Sequence, residues 1–227
     1  MDLAERLADV DARIASAMRA SRRAPETVTR IVVTKFHPPT LIESLYALGV
    51  RDLGENRQQE LTAKHEALAG LPGLRWHFIG QGQTNKARAI RAAADAVHSV
   101  DRAKLADALH AAAPDAAPLD VLLQVNLTGD PGRGGTQPAD LPALAGHVAE
   151  ACPSLRVRGV MAVAPLGEDP APAFARLADA AAVVRAVVPD ADWISAGMTG
   201  DFEAAIAAGA THLRIGSAIT GPRPVHG

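Results

Sequence analysis

A lysine does covalent chemistry when its amine is held rigidly where a carbonyl can reach it, and Lys35 stands in such a place. It follows the β-branched run Ile31-Val32-Val33 in TRIVVTKFHPP, and Pro38 and Pro39 lie just beyond it. A buried strand that stops at the lysine, with two prolines stiffening the exit, is a support for one amine. The same stretch also reads as an inert lysine, the first solvated residue past a strand. A second group of candidates lies near the other end of the chain. Thr199 and Gly200 precede a short helical stretch, and Gly216 and Ser217 sit in RIGSAITG. Backbone N–H groups at a helix start, joined by a close-approaching glycine and a hydroxyl, suit a phosphate. Taken alone, Thr199 is equally a plain N-cap before Asp201 and Glu203. Arg214, two residues before Gly216, points to the same side of a strand and must meet a ligand or a carboxylate there.

The elements that position these groups alternate. Strand patterns fall at 29–35, 52–56, 75–80, 96–101, 121–126, 157–164, 192–198 and 212–219, with helical patterns at 40–48, 57–69, 85–94, 102–112, 140–151, 173–187 and 201–208. Eight strands alternating with helices predict an α/β fold, a single (β/α)₈ TIM-type barrel spanning 1–227. Leu3, Leu7, Val10, Ile14 and Met18 add an amphipathic N-terminal helix, within 1–22, packed on that barrel. An open doubly wound sheet would instead carry a Gly-rich fingerprint after the first strand, which TKFHPP does not supply. In a barrel the reacting groups lie at the C-terminal strand ends, and phosphate commonly sits after strands seven and eight. Lys35, Asn56 and His77, the last in WHFIG, then come from strands one, two and three, opposite Thr199, Gly216 and Ser217. A Schiff-base amine facing a phosphate site fits pyridoxal 5′-phosphate, or a sugar phosphate in an aldolase. The Gly- and Pro-rich stretch 127–138 is either a lid over that site or a surface excursion.

Composition narrows the field. The net charge of -2, with no basic block, argues against nucleic acid as a partner. No run of about 18 apolar residues offers a membrane span. One cysteine, Cys152, permits no internal disulfide, and the acidic N-terminus does not read as a targeting signal, so a cytoplasmic protein is expected. The eight histidines lack zinc-site spacing, so no metal is expected, and no Gly-x-Ser-x-Gly elbow is present.

Four stretches carry a resemblance. GENRQQE (54–60), WHFIGQGQTNK (76–86), SAGMTGDFEAAI (195–206) and RIGSAITG (214–221), in order after Lys35, resemble the pyridoxal phosphate homeostasis protein family. The resemblance implies a fold similar to the N-terminal domain of alanine racemase and pyridoxal 5′-phosphate held as a Schiff base on Lys35. It further implies Asn56 beside the cofactor, Thr199, Gly216 and Ser217 on its phosphate, and Arg214 facing the pyridine nitrogen or the phosphate rim. Ala196 and Thr199 depart from the family's usual Ser-Met-Gly-Met-Ser, Thr220 replaces a usual phenylalanine, and Gly82 a usual leucine. The expected function is a non-catalytic, monomeric carrier that stores, buffers or hands the cofactor to pyridoxal phosphate-dependent apoenzymes. The alternative is a small amino-acid racemase on the same barrel, for which the only tyrosine, Tyr46, lies on the helix after strand one and offers no second base.

Overall fold

The computed structural model describes residues 1–222 other than 129 and 131. Eight parallel strands, β1 (Thr29–Val33), β2 (Asp52–Glu55), β3 (Arg75–Phe78), β4 (Ala96–Val100), β5 (Leu119–Gln124), β6 (Leu155–Met161), β7 (Trp193–Ser195) and β8 (His212–Ile215), pair in sequence order. β8 pairs back onto β1, with Ile31 opposite Arg214, and closes the barrel. The helices are α1 (Leu3–Ala20), α2 (Pro39–Ala47), α3 (Gln58–Ala67), α4 (Ala87–Ala93), α5 (Ala103–Ala112), α6 (Leu141–Ala151), α7 (Pro170–Val187), α8 (Phe202–Ala207) and α9 (Ser217–Thr220). No described helix is long and apolar enough to cross a membrane.

The (β/α)₈ barrel is the one expected; several boundaries shift by a few residues, and two of the shifts have clear local causes. Strand eight, expected over 212–219, stops at Ile215 and turns into the single helical turn α9. There the N–H groups of Ile219 and Thr220 both donate to Gly216 O, at 2.8 and 2.9 Å, so hydrogen bonding overrides the β-branched composition of the stretch. Helix α7 begins at Pro170 rather than 173, because Asp169 caps it by accepting from Ala171 N at 3.0 Å and Pro170 suits the first helical position.

Helix α1 opens with a capping box between Asp2 and Glu5 and buries Leu7, Val10 and Met18. It lies against α8 and α9, the two short helices that follow β7 and β8. Arg13 meets Glu203 at 2.7 Å, Arg6 Nε donates to Ile219 O at 2.7 Å, and Arg23 donates to the Ile206 and Ala210 carbonyls. The N-terminal helix thus holds in place the segments that carry Thr199 and Ser217.

Candidate functional site

A cavity of about 460 Å³ opens at the C-terminal ends of the strands, inside the ~300–1,000 Å³ range of small-molecule sites. Lys35, Asn56, Thr199, Arg214, Gly216 and Ser217 all line it. His77 does not. Its ring is buried within the barrel, bonded to Asp52 at 2.9 Å and to His98 at 3.0 Å, and the strand-end position that suggested a site neighbour leaves it below the cavity floor. His37, Met198 and Thr220 also line the cavity. Burial, then the nearby Lys64 ammonium, holds the His37 imidazole below its ordinary range, with Glu60 opposing. The described residues of stretch 127–138 are no part of the lining. Asn126 gathers it by donating to the Asp130 and Arg133 carbonyls at 2.8 and 3.0 Å, so its described residues form a compact loop beside β5.

Lys35 is placed by charges that lie elsewhere in sequence. Immediately before it, Thr34 Oγ1 donates to Glu55 Oε1 at 2.6 Å, and Thr34 O accepts from Lys64 Nζ at 2.8 Å. Lys64 also meets Glu55 Oε1 at 2.7 Å and Glu60 Oε2 at 3.4 Å. Immediately after it, Phe36 adopts a left-handed φ of 68°, unusual for a side chain of that size, and its N–H is held by Glu60 Oε2 at 2.8 Å. One buried cluster therefore grips the chain on both sides of Lys35. Glu55 is fully buried and Lys64 is 5% exposed, and burial raises the Glu55 carboxyl against the pull of Lys64 and Thr34. Periodicity could not have found this cluster, since charged residues ordinarily mark a solvated face.

Arg214 enters the cavity wall from the barrel interior, 4% exposed, with Nη1 on Ser195 Oγ at 2.6 Å and Nη2 on Ala162 O at 2.8 Å. Its direct partners are neutral acceptors and not the carboxylate that was one expectation. Burial pushes its guanidinium down to about 10, with Asp201 opposing, so it remains a cation at neutral pH.

The comparisons with known proteins bear on the family and the fold. Residues 8–224 match the family described as alanine racemase, N-terminal domain. A pyridoxal phosphate homeostasis protein of Pseudomonas aeruginosa is 45% identical, the match covering 97% of this chain and 96% of that protein. That of Escherichia coli is 40% identical over 98% and 97%. The chain belongs to the pyridoxal phosphate homeostasis protein family. Among solved structures, PipY of Synechococcus elongatus with PLP bound superposes with a TM-score of 0.85 at 36% identity, covering 97% of this chain and all of that one. Alanine racemase from Corynebacterium glutamicum, at 17% identity and a TM-score of 0.66, shares the fold.

Two of the positions that the resemblance marks as departures, Gly82 and Thr220, have defined surroundings. A Cβ at Gly82 would stand 2.6 Å from Leu105 Cδ2, so Leu105 occupies space a leucine at 82 would need. Thr220 is buried and lines the cavity. A glycine shared with the motif has a stricter role: a Cβ at Gly80 would lie 1.8 Å from Asn56 O, so the β3 exit can pass the Asn56 backbone only as glycine. At Gly216 a Cβ would make ordinary contact with Val33 at 3.5 Å, and protein atoms alone do not demand glycine there. Asp201 reaches back to accept from Met198 N at 2.6 Å and fixes the turn that carries Thr199.

Away from the cavity, Asp107, His147 and Cys152 bring one potential metal-ligand atom each within 4.8 Å, a grouping that sequence spacing did not suggest. Hydrogen bonds already use these atoms: His147 Nε2 and Cys152 Sγ lie 2.7 and 3.6 Å from Asp107 Oδ1. Burial, then the Asp107 charge, pushes the Cys152 thiol up to about 11, which leaves it a neutral donor to the carboxylate.

Proposed function

We propose that this barrel holds pyridoxal 5′-phosphate through Lys35 and stores and hands on the cofactor without turning over a substrate. The observation that carries the reading is the meeting of one lysine, one buried arginine and the hydroxyls of Thr199 and Ser217 around a single 460 Å³ cavity. The donors fit the group: the Lys35 amine suits its aldehyde, Thr199, Gly216 and Ser217 suit its phosphate, and Arg214 suits its ring nitrogen. When bound, the cofactor supplies an electrophilic carbon and a ring that withdraws electrons most strongly when its nitrogen is protonated. A permanent guanidinium at that nitrogen disfavours the proton. Asn56, fixed by the close passage of Gly80, borders the same space.

The racemase alternative needs a second proton carrier. Among the described residues lining the cavity, Lys35, His37 and Arg214 are the titratable ones, and with Arg214 a fixed cation only His37 could fill that role. Tyr46 is elsewhere, its hydroxyl donating to Pro72 O at 3.0 Å. The closed sheet leaves no strand edge through which another copy could pair; the carrier is read as a monomer, with an apoenzyme of the pyridoxal phosphate class as its recipient. The experiment is hydrogen exchange: alanine and other amino acids are incubated in deuterated water with the cofactor-loaded protein. The carrier reading expects no α-deuteration above that given by free cofactor. Exchange at enzyme-like rates, abolished by Lys35→Ala, would establish a racemase instead.

A further inference from the structure

An unbroken line of buried side chains runs from the cavity wall down through the barrel, and cofactor binding as proposed above makes no use of most of it. Arg214 Nη1 lies 2.6 Å from Ser195 Oγ, Ser195 Oγ 2.8 Å from His98 Nδ1, His98 Nε2 3.0 Å from His77 Nδ1, and His77 Nε2 2.9 Å from Asp52 Oδ1. The bond between β4 and β7 joins strands that are not neighbours, so the line crosses the barrel interior. Its lower end, Asp52, is paired with Arg75 at 2.7 Å and borders an opening on the N-terminal face together with Arg30.

Donor and acceptor capacity decides which way each hydrogen points. A guanidinium only donates and a carboxylate only accepts. Burial alone would raise the Asp52 carboxyl, but its hydrogen bonds with His77 and Arg75 overcome that and keep it ionised. A hydrogen on His77 Nε2 for Asp52 leaves Nδ1 to accept from His98 Nε2. His98 Nδ1 then accepts the Ser195 hydroxyl hydrogen, and Ser195 Oγ accepts from Arg214. Every hydrogen bond in the line is satisfied with both imidazoles neutral. The reverse polarity requires an extra proton on His77 and leaves the Ser195 hydroxyl hydrogen between two donors, without an acceptor in the line. His98 is uncharged in either arrangement, in keeping with the burial that holds its imidazole well below the ordinary range.

We propose that Ser195, His98, His77 and Asp52 are positioning residues for Arg214, a one-directional hydrogen-bond relay that fixes the guanidinium in the cavity wall and points every hydrogen in the line away from the cavity. What Arg214 faces rests on the pyridoxal 5′-phosphate reading; the polarity of the relay does not. The consequence for function is that this path delivers no proton to the ring nitrogen, so the barrel grips the cofactor and leaves the ring a poor electron sink.

The test is long-range ¹H–¹⁵N correlation of the imidazoles in the full chain at pH 7, without added cofactor. The relay predicts the neutral Nε2–H tautomer for both His77 and His98. A hydrogen on Nδ1 of either ring, or a doubly protonated His77, overturns it. Ser195→Ala removes the donor to His98 Nδ1 and the acceptor for Arg214. It should mix the His98 tautomers and weaken pyridoxal 5′-phosphate retention about tenfold, the scale of one hydrogen bond to a charged group. Trapping on Lys35 at saturating cofactor should persist. An unchanged His98 tautomer and unchanged retention in Ser195→Ala would also refute the relay. If that variant does not fold, the wild-type tautomers alone decide. A wild type that forms no Lys35 adduct sinks the cofactor reading but leaves the tautomer result standing, so the two failures are distinct.

Discussion

Replacing Lys64 by methionine should unfold the support under Lys35 in a way that pH reveals. The ammonium lies 2.7 Å from Glu55 Oε1 and 2.8 Å from Thr34 O, and Glu55 has no exposed surface. Without its partner the buried carboxylate cannot remain charged and must take up a proton. Relative to an unfolded value near 4.3, holding that proton costs about 3.7 kcal/mol at pH 7 but only about 1.6 kcal/mol at pH 5.5. The first figure agrees with the ~3–5 kcal/mol found when one member of a buried pair is removed. It corresponds to a fall in Tm of roughly 7–15 °C for a chain of this size. Urea unfolding of Lys64→Met and wild type at both pH values measures the two differences. The double variant Glu55→Gln/Lys64→Met should regain much of the loss, since no buried charge is left unpaired. Cofactor retention should weaken as well, because the Thr34 carbonyl beside Lys35 loses its donor. A penalty below about 1 kcal/mol at pH 7, or one that does not shrink on acidification, would refute the reasoning.

Further predictions follow from the same geometry. Burial holds His98 well below the ordinary imidazole range, and burial above all pushes His212 down to about 3. The unfolded chain therefore takes up these protons first. Stability should be lost as pH falls below about 6.5, by up to ~1.4 kcal/mol per pH unit for each ring, while Glu55, raised in the folded state, works in the opposite sense. His212→Asn should remove one ring's share of that slope in pH-dependent urea unfolding. The Asp52 contribution, from a lowered carboxyl, should disappear only below about pH 4. Gly80→Ala should displace Asn56, lowering both Tm and cofactor retention, whereas Gly216→Ala, with a Cβ 3.5 Å from Val33, should weaken retention with little effect on Tm. Ser217→Ala with Thr199→Ala should weaken cofactor affinity in an absorbance titration; unchanged affinity would remove both from the phosphate site.

What the sequence made legible was periodic or local. The β-branched run ending at Lys35 and the alternation of eight strands with helices were readable because a parallel barrel buries both faces of each strand and so writes continuous apolar runs. The glycines and hydroxyls of 199–200 and 216–217 were readable because turns and helix starts demand those residue types. The misses came from charges and rings brought together over long separations. Glu55, Glu60 and Lys64 meet around residues 34 and 36 only after β1 and β2 pair, and His77 looked like a strand-end site residue because nothing local shows that His98 and Asp52 claim its ring. The end of β8 was misplaced because SAIT has strand composition while the N–H groups of Ile219 and Thr220 bond back to Gly216 O.

The central claim is that Lys35 alone tethers the cofactor. Purified protein is saturated with pyridoxal 5′-phosphate, reduced with borohydride, digested and mapped by mass spectrometry. One pyridoxyl adduct on the peptide carrying Lys35 is predicted, lost in Lys35→Ala. No adduct, or an adduct on Lys64, Lys86 or Lys104 in its place, would contradict it.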